Sequence, residues 1–388
     1  MRRFLMGIVL AAAGAMACSA GVCAQEAVSV YVSEDVPVQT EGLAKLLGGA
    51  FPQAEFQVIR AQEGGLRELV ISDCAPQLAL CSPGEAAPWA REGLTLPLQS
   101  RIDDQQEIAR PILSVCVQDE NLFMAPLAAH HRQMAVNVKL LEKRGLGYML
   151  DEIAHPVWYP TEFQQILEEF AIAGAPAMDV WRMTPAQSAA MEAMMQAIYV
   201  SSVLEEDGET CAVQSAAFMA GMRWLRDLVE GEIIGYCEDR QQALERFLAE
   251  ETAIFIDWTQ QLQQKYAWEL KKRGVEIETR PYPSSGGLPV RSYALTGVSV
   301  FDSGDARRNA LALQAAAFLY ESEAARELLG GGTILADEST WLWDLTANSR
   351  GATLRSLLCS AVCQVLEEGY DAEQACAMVQ AGMDTAKR

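Results

Sequence analysis

Histidine is scarce in this chain of 388 residues, with three in all. The sequence has no Gly-x-Ser-x-Gly elbow, no His-Glu-x-x-His pair and no glycine-rich phosphate loop. The nucleophilic, zinc and nucleotide chemistries that need those spacings therefore lack their residues. Paired carboxylates acting on a glycan leave no local spacing, so that class is reduced but stays open. Other polar and aromatic residues sit at the ends of apolar, β-rich runs. Val28–Val32 is followed by Ser33-Glu34-Asp35, and 77–81 by Ser82-Pro83-Gly84-Glu85. Thr252–Ile256 ends at Asp257-Trp258. Carboxylates and hydroxyls in such places can orient the hydroxyls of a polar solute, and an indole face suits its C–H groups. Ordinary polar turns and a core indole are the competing readings of the same residues. Trp224 shares a stripe with Phe218, Met222, Leu225 and Val229 and is assigned to core.

The elements that would carry these residues follow from periodicity. Strand 28–32, helix 40–51, strand 55–60, helix 65–73 and strand 77–81 alternate. That order predicts a parallel sheet with crossover helices, an arrangement that gathers ligands at the carboxyl ends of its strands. From Thr161, read as an N-cap after Pro160, the chain becomes mostly helical. Helical stretches are expected over 185–204, 215–230 and 242–249. Strands are expected over 252–256, 275–282 and 292–301. One long helix is expected over 306–329, stopped by Gly330-Gly331-Gly332, and then a helical tail.

Length and composition set the scale. A chain of this size exceeds what one hydrophobic core normally covers, so two domains are expected. Half the residues are hydrophobic and no low-complexity tract appears, so large cores can form. The net charge of −22 repels nucleic acid, and no basic patch with interleaved aromatics offsets it in the sequence pattern. Met1-Arg2-Arg3, the apolar run Phe4–Ala17 and the small residues around Val22-Cys23-Ala24 have the layout of a secretory signal. An apolar run of that length falls short of the roughly 20 residues needed to span a bilayer. Cleavage near Ala24 gives an exported, periplasmic protein. The alternative is a weak lipobox in which Cys18 carries a lipid and tethers the chain to the outer face of the cytoplasmic membrane. Of the ten cysteines, Cys74, Cys81, Cys116, Cys211, Cys237, Cys359, Cys363 and Cys376 lie beyond that segment. No CxxC pair exists, so no metal and no cofactor is expected. A disulfide from Cys376 to Cys359 or Cys363 competes with buried free thiols.

Several stretches, in order, resemble one family. They are Ala90-Arg91-Glu92-Gly93-Leu94-Thr95-Leu96-Pro97-Leu98, then Ala125-Pro126-Leu127-Ala128 with Ala135-Val136-Asn137, then Pro160-Thr161-Glu162-Phe163, Phe247–Trp258 and Ala310–Leu329. Together they are similar to bacterial extracellular solute-binding proteins of the maltose-binding type. Val136 replaces the family's aromatic, the Trp after Thr161 is lacking, and Glu250-Glu251 replaces a Gly-Lys. The resemblance implies an α/β, two-lobed periplasmic-binding-protein fold of type II, its lobes joined by three hinge crossovers. It places lobe 1 at 25–130 and 294–330 and lobe 2 at 131–293 and 331–388, after the signal at 1–24. It implies a monomeric, non-enzymatic receptor that hands a small polar solute, a sugar or oligosaccharide, to the permease of an ABC importer. Receptors for a polyamine, a metal chelate or a phosphorylated polyol are the alternatives, with an exported glycan hydrolase behind them. By the same resemblance the ligand residues are Trp258, Trp181 with Asp179, and Trp341 and Trp343 in the tail. Glu34, Asp35, Ser82 and Glu85 come from the first lobe, and His130 from the hinge.

Overall fold

The structure is a computed structural model that describes residues 26–386, apart from 34–35, 61–64, 72–74, 103–107, 109, 186, 206–209 and 331–339. Its strands are β1 (Glu26–Val32), β2 (Ala54–Arg60), β3 (Leu78–Cys81), β4 (Val117–Gln118), β5 (Asn121–Leu122) and β6 (Ala125–Asn137). They continue with β7 (Asp179–Trp181), β8 (Gly235–Cys237), β9 (Ile254–Trp258), β10 (Ile277–Arg280), β11 (Val290–Val300) and β12 (Thr340–Trp343). One large sheet runs β10-β6-β11-β3-β1-β2, with β9 added to β6 and β12 to β11. β1 pairs in parallel with β2 and β3, as the alternating order predicted. β11 then runs antiparallel to both β3 and β6.

Two separate hydrophobic cores form on this sheet. One gathers Val28, Val30, Leu43, Leu80, Leu127, Val298 and Leu319 among its members. The other gathers Phe163, Trp181, Phe218, Phe255, Leu358 and Val379. β6 belongs to both: Ala125–Ala129 lie in the first core and Met134–Val136 in the second. β11 returns the other way, with Val290 in the second core and Tyr293 onward in the first. The chain crosses a third time between Leu329 in the first core and Leu345 in the second. β12 flanks β11 on that passage. Two of the three crossings are therefore single strands shared by both lobes.

Local chemistry explains where elements begin and break. Helix Pro160–Ile172 starts two residues earlier than expected, with Tyr159 as N-cap in place of Thr161. Pro160 fits the first helical position, where a missing N–H costs nothing, and the Glu162 carboxylate accepts the Tyr159 N–H at 2.8 Å. The expected long helix over 306–329 is two, Ala306–Glu321 and Glu323–Leu328. Ser322 adopts an extended conformation, and its hydroxyl accepts the Ala325 N–H, capping the second helix at the expense of continuing the first. Helix Gln260–Arg273 was not anticipated. It buries Leu262 and Leu270 and is otherwise largely polar, so it carries little periodic signal.

Among the described residues, no helix is long and apolar enough to cross a membrane, and no group of three or more His, Cys, Asp or Glu side chains is placed to hold a metal ion. Cys359, Cys363 and Cys376 are free thiols, Cys359 and Cys376 buried and Cys363 partly exposed; Cys376 Sγ lies 3.4 Å from Met222 Sδ. Cys74 lies outside the described residues.

Candidate ligand cleft at the lobe junction

At the lobe junction the crossing strands assemble a charged cluster. Arg132 of β6 reaches Asp344 at 2.7 Å and Asp257, near the end of β9, at 3.4 Å. Arg240 pairs with the Asp257 carboxylate and donates to its carbonyl at 3.2 Å. Arg355 pairs with Asp344 and stands 3.3 Å from Glu192, whose carboxylate also accepts the Ser188 hydroxyl at 2.6 Å. Three guanidinium groups thus face three carboxylates drawn from distant segments. Burial alone would push the Asp344 carboxyl up, but Arg355 and Arg132 outweigh it and hold the group down at about 2. Burial wins at Glu192, which is raised. The Arg132 and Arg240 side chains keep about a quarter of their surface open beside the hinge. Arg291 of β11 adds another guanidinium, donating to Gln133 at 2.9 Å.

The residues expected from the sequence fall into three groups. In the first lobe, Ser33, Ser82 and Glu85 come together. The Glu85 carboxylate accepts the Ser33 hydroxyl at 3.0 Å and both the Ser82 N–H and hydroxyl at 3.0 Å. This closes a capping box on helix Pro83–Arg91 at the end of β3. Glu34 and Asp35 lie outside the described residues. At the junction, His130 pairs with Ala294 in the shared sheet, and its Nε2 is buried without a hydrogen-bond partner. Burial first, then Arg132 and His131, lower its pKa to about 4, so it is neutral at pH 7. Trp343 meets Tyr293 edge-on at 6.3 Å between ring centroids. Trp341 is placed by its backbone, opposite Arg291 in β12; its side chain lies outside the described residues.

The third group requires correction. Trp258 and Trp181 were expected to stack on a ligand, yet they are 1% and 0% exposed. Trp258 packs against Phe247 and Phe255, and its Nε1 donates to Gln263 at 2.8 Å. Trp181 stacks on Phe255 and donates to the Gln187 carbonyl at 2.8 Å. Both indoles are thus core members with satisfied N–H groups. Asp179 is likewise enclosed: its Oδ1 accepts from Arg246 at 2.7 Å, and a β-carbon on Gly235 would stand 1.9 Å from that oxygen. Burial pushes this carboxyl up to about 6 against the pull of Arg246. Sequence reasoning missed Arg240, Arg355, Glu192 and Asp344 as members of a junction cluster. Their positions in the chain carry no shared spacing that would have joined them.

The lobes also touch through the tail. The 3-10 turn Leu345–Ala347 buries Leu345 in the second core, while its neighbours press on the first lobe. A β-carbon on Gly84 would stand 2.3 Å from the Asn348 carbonyl oxygen and 2.5 Å from that of Thr346. Arg91 donates to Ser349 at 2.9 Å across the same contact.

No family model matches the sequence, and no curated protein does. Solved structures do match. The sugar-binding protein MalE of Xanthomonas citri aligns with TM-score 0.71 and 13% identity, over 93% of this chain and 98% of its own. An ABC substrate-binding protein of Listeria monocytogenes in complex with cycloalternan aligns with TM-score 0.69 and 11% identity, over 94% and 99%. The GacH receptor of Streptomyces glaucescens, solved unliganded and with acarbose, aligns with TM-score 0.65 and 15% identity, over 93% and 98%. The chain has the fold of the maltose-binding-like substrate-binding proteins. Within this substrate-binding-protein fold, the charged cluster occupies the junction where the two lobes meet, and the shared strands β6 and β11 form its floor. A hollow of about 450 Å³, lined by Ala171, Pro176, Val229 and Tyr236 among others, opens on the second lobe.

Proposed function

We propose that the protein is an extracytoplasmic receptor that binds a sugar or oligosaccharide between its lobes and delivers it to the permease of an ABC importer. The observation that carries the reading is the pair of separate cores joined by three chain crossings with a polar cluster at the junction. A ligand touching both lobes biases such a molecule toward its closed form. The similar proteins include a sugar-binding protein and receptors solved with cycloalternan and with acarbose, which supports a carbohydrate. Lobe 1 is taken as 25–130 with 294–330, and lobe 2 as 131–293 with 331–388. Arg132, Arg240 and Arg291 would donate to ligand hydroxyls, with His130, Ser82 and Glu85 on the first-lobe side; Glu34 and Asp35 are candidates from the sequence alone. Trp343 and Trp341 are the aromatic candidates that remain. The reading has the receptor acting as a monomer, exported by its N-terminal segment and either cleaved near Ala24 or tethered by a lipid on Cys18, and catalysing no reaction.

Charge argues against the polyamine alternative. The junction carboxylates are matched by guanidinium groups, so an added cation meets no surplus of negative charge. A thermal-shift series with maltooligosaccharides, cyclic glucans, polyamines and amino acids tests the reading. A sugar present at 100 times its dissociation constant should stabilise the protein by about 2.7 kcal/mol. Stabilisation by polyamines and by no sugar, or release of reducing ends from a glycan, would overturn it.

A further inference from the structure

We propose that the exposed face of helix Gln260–Arg273 is a docking surface for an anionic lipid bilayer. The chain has seven lysines, and five of them are Lys139, Lys143, Lys265, Lys271 and Lys272. The fold brings those two runs together. The Lys139 ammonium donates to the Gly274 carbonyl at 2.5 Å, just past the end of this helix, and Val138 donates its N–H to Glu276. On the helix itself Lys265, Trp268, Lys271 and Lys272 recur at spacings of three and four residues, which puts them on one face. All four are exposed, and Trp268, at 72%, is the most open tryptophan among the described residues. The Lys272 ammonium sits 4.9 Å from the Trp268 ring centroid. The acidic neighbours are fewer: Glu142, Glu269 and Glu276, with Glu250 paired to Arg273 at 3.0 Å.

Charge complementarity selects the occupant. With a net charge of −22, most of the surface is repelled by an anionic membrane, so only a local reversal of sign can approach one. Screening makes the reversal sufficient, because charges beyond about 10 Å count for little at 0.1 M salt. The indole adds what a soluble polyanion would not need. Trp is favoured at the level of lipid headgroups, and lysine stems can lie along apolar surface while their ammonium groups stay in water. The same contact would fix the orientation of the molecule, with this edge of the second lobe toward the bilayer.

The test is co-sedimentation of the full chain with vesicles of phosphatidylcholine containing zero to half phosphatidylglycerol. The unmodified chain and its variants are compared side by side, so that any contribution of residues 1–25 is common to all. Binding should rise with the anionic fraction and fall with salt. Lys265→Gln/Lys271→Gln/Lys272→Gln should lower the partition coefficient on the order of a hundredfold, about fivefold per lysine. Trp268→Ala should weaken binding with an unchanged salt dependence. Lys45→Gln, an exposed lysine on the first lobe, should change nothing. Thermal melts of the variants should match the parent, because every substituted side chain is exposed. Equal binding to neutral and anionic vesicles would overturn the proposal, as would equal binding by the triple variant. Capture by a soluble anionic polysaccharide without vesicle binding would overturn it in favour of a glycan partner.

Discussion

At the scale of single residues, burial decides what an aromatic or a carboxylate does. Trp258 ends a strand beside an acid, a setting shared by ligand-stacking and core indoles. The ring here is closed in by Phe247, Phe255 and the side chain of Gln263. Trp258→Ala should therefore cost about 3–5 kcal/mol of stability in urea unfolding, the range for emptying a large core site. An unchanged ligand-free midpoint would return the ring to the cleft. Val200 shows the opposite relation between residue and site. It is β-branched with φ of 49°, and 60% exposed. The left-handed region costs such a residue roughly 1–2 kcal/mol, and Asn tolerates it better. Val200→Asn should raise stability by about 1 kcal/mol in the same measurement; a loss would mean that the Val200 contact near Gly286 outweighs the strain.

At the scale of elements, the junction depends on three crossings held in register by ions as well as by hydrogen-bonded strands. Asp344 ties the third crossing to the first through Arg132 and to helix Gly351–Glu367 through Arg355. Its carboxyl is held at about 2, below the ordinary 3.8. The stability it contributes is complete above about pH 4 and is lost as pH falls through 2. Asp344→Asn should cost about 3–5 kcal/mol at pH 7 by leaving the buried Arg355 and the half-buried Arg132 guanidinium groups short of an anionic partner. It should also flatten the stability profile between pH 4 and 2. Asp179 acts in the reverse sense. Its folded pKa of about 6 lies above the ordinary value, so the folded state gains stability as pH falls from about 6 to 4, and Asp179→Asn should remove that gain. Chemical unfolding across pH reads both effects. The elements themselves were largely legible: β1, β2, β3 and the helices between them are local patterns of alternation and 3.6-residue spacing. The break at Ser322 was hidden because the apolar spacing continues across it. Helix Gln260–Arg273 was hidden because it buries so little. The junction cluster was illegible for a different reason. Arg132, Glu192, Arg240, Asp257, Asp344 and Arg355 meet through tertiary pairing, and no local rule links them.

At the scale of the whole molecule, the lobes share strands. On the proposed reading, closing over a ligand would bend β6 and β11 where they pass the junction, near His130–Gln133 and Val290–Ser292. Ligand closure should appear as a fall in radius of gyration by small-angle scattering when the best sugar is added. A shift in melting temperature with no change in radius would place the ligand on one lobe. The three crossings carry one more consequence, for the order in which the chain can fold. β3 pairs with β1 early but gains its second edge only when residues 297–300 are available, and the second core waits for residues up to 383. Closing such long loops is slow, since their entropy is lost before distant contacts reward it. As the chain grows from its N-terminus, neither lobe can complete itself before most of the polypeptide exists. For an exported receptor, as proposed, that delay would favour the unfolded state in which a chain passes through a narrow translocation channel.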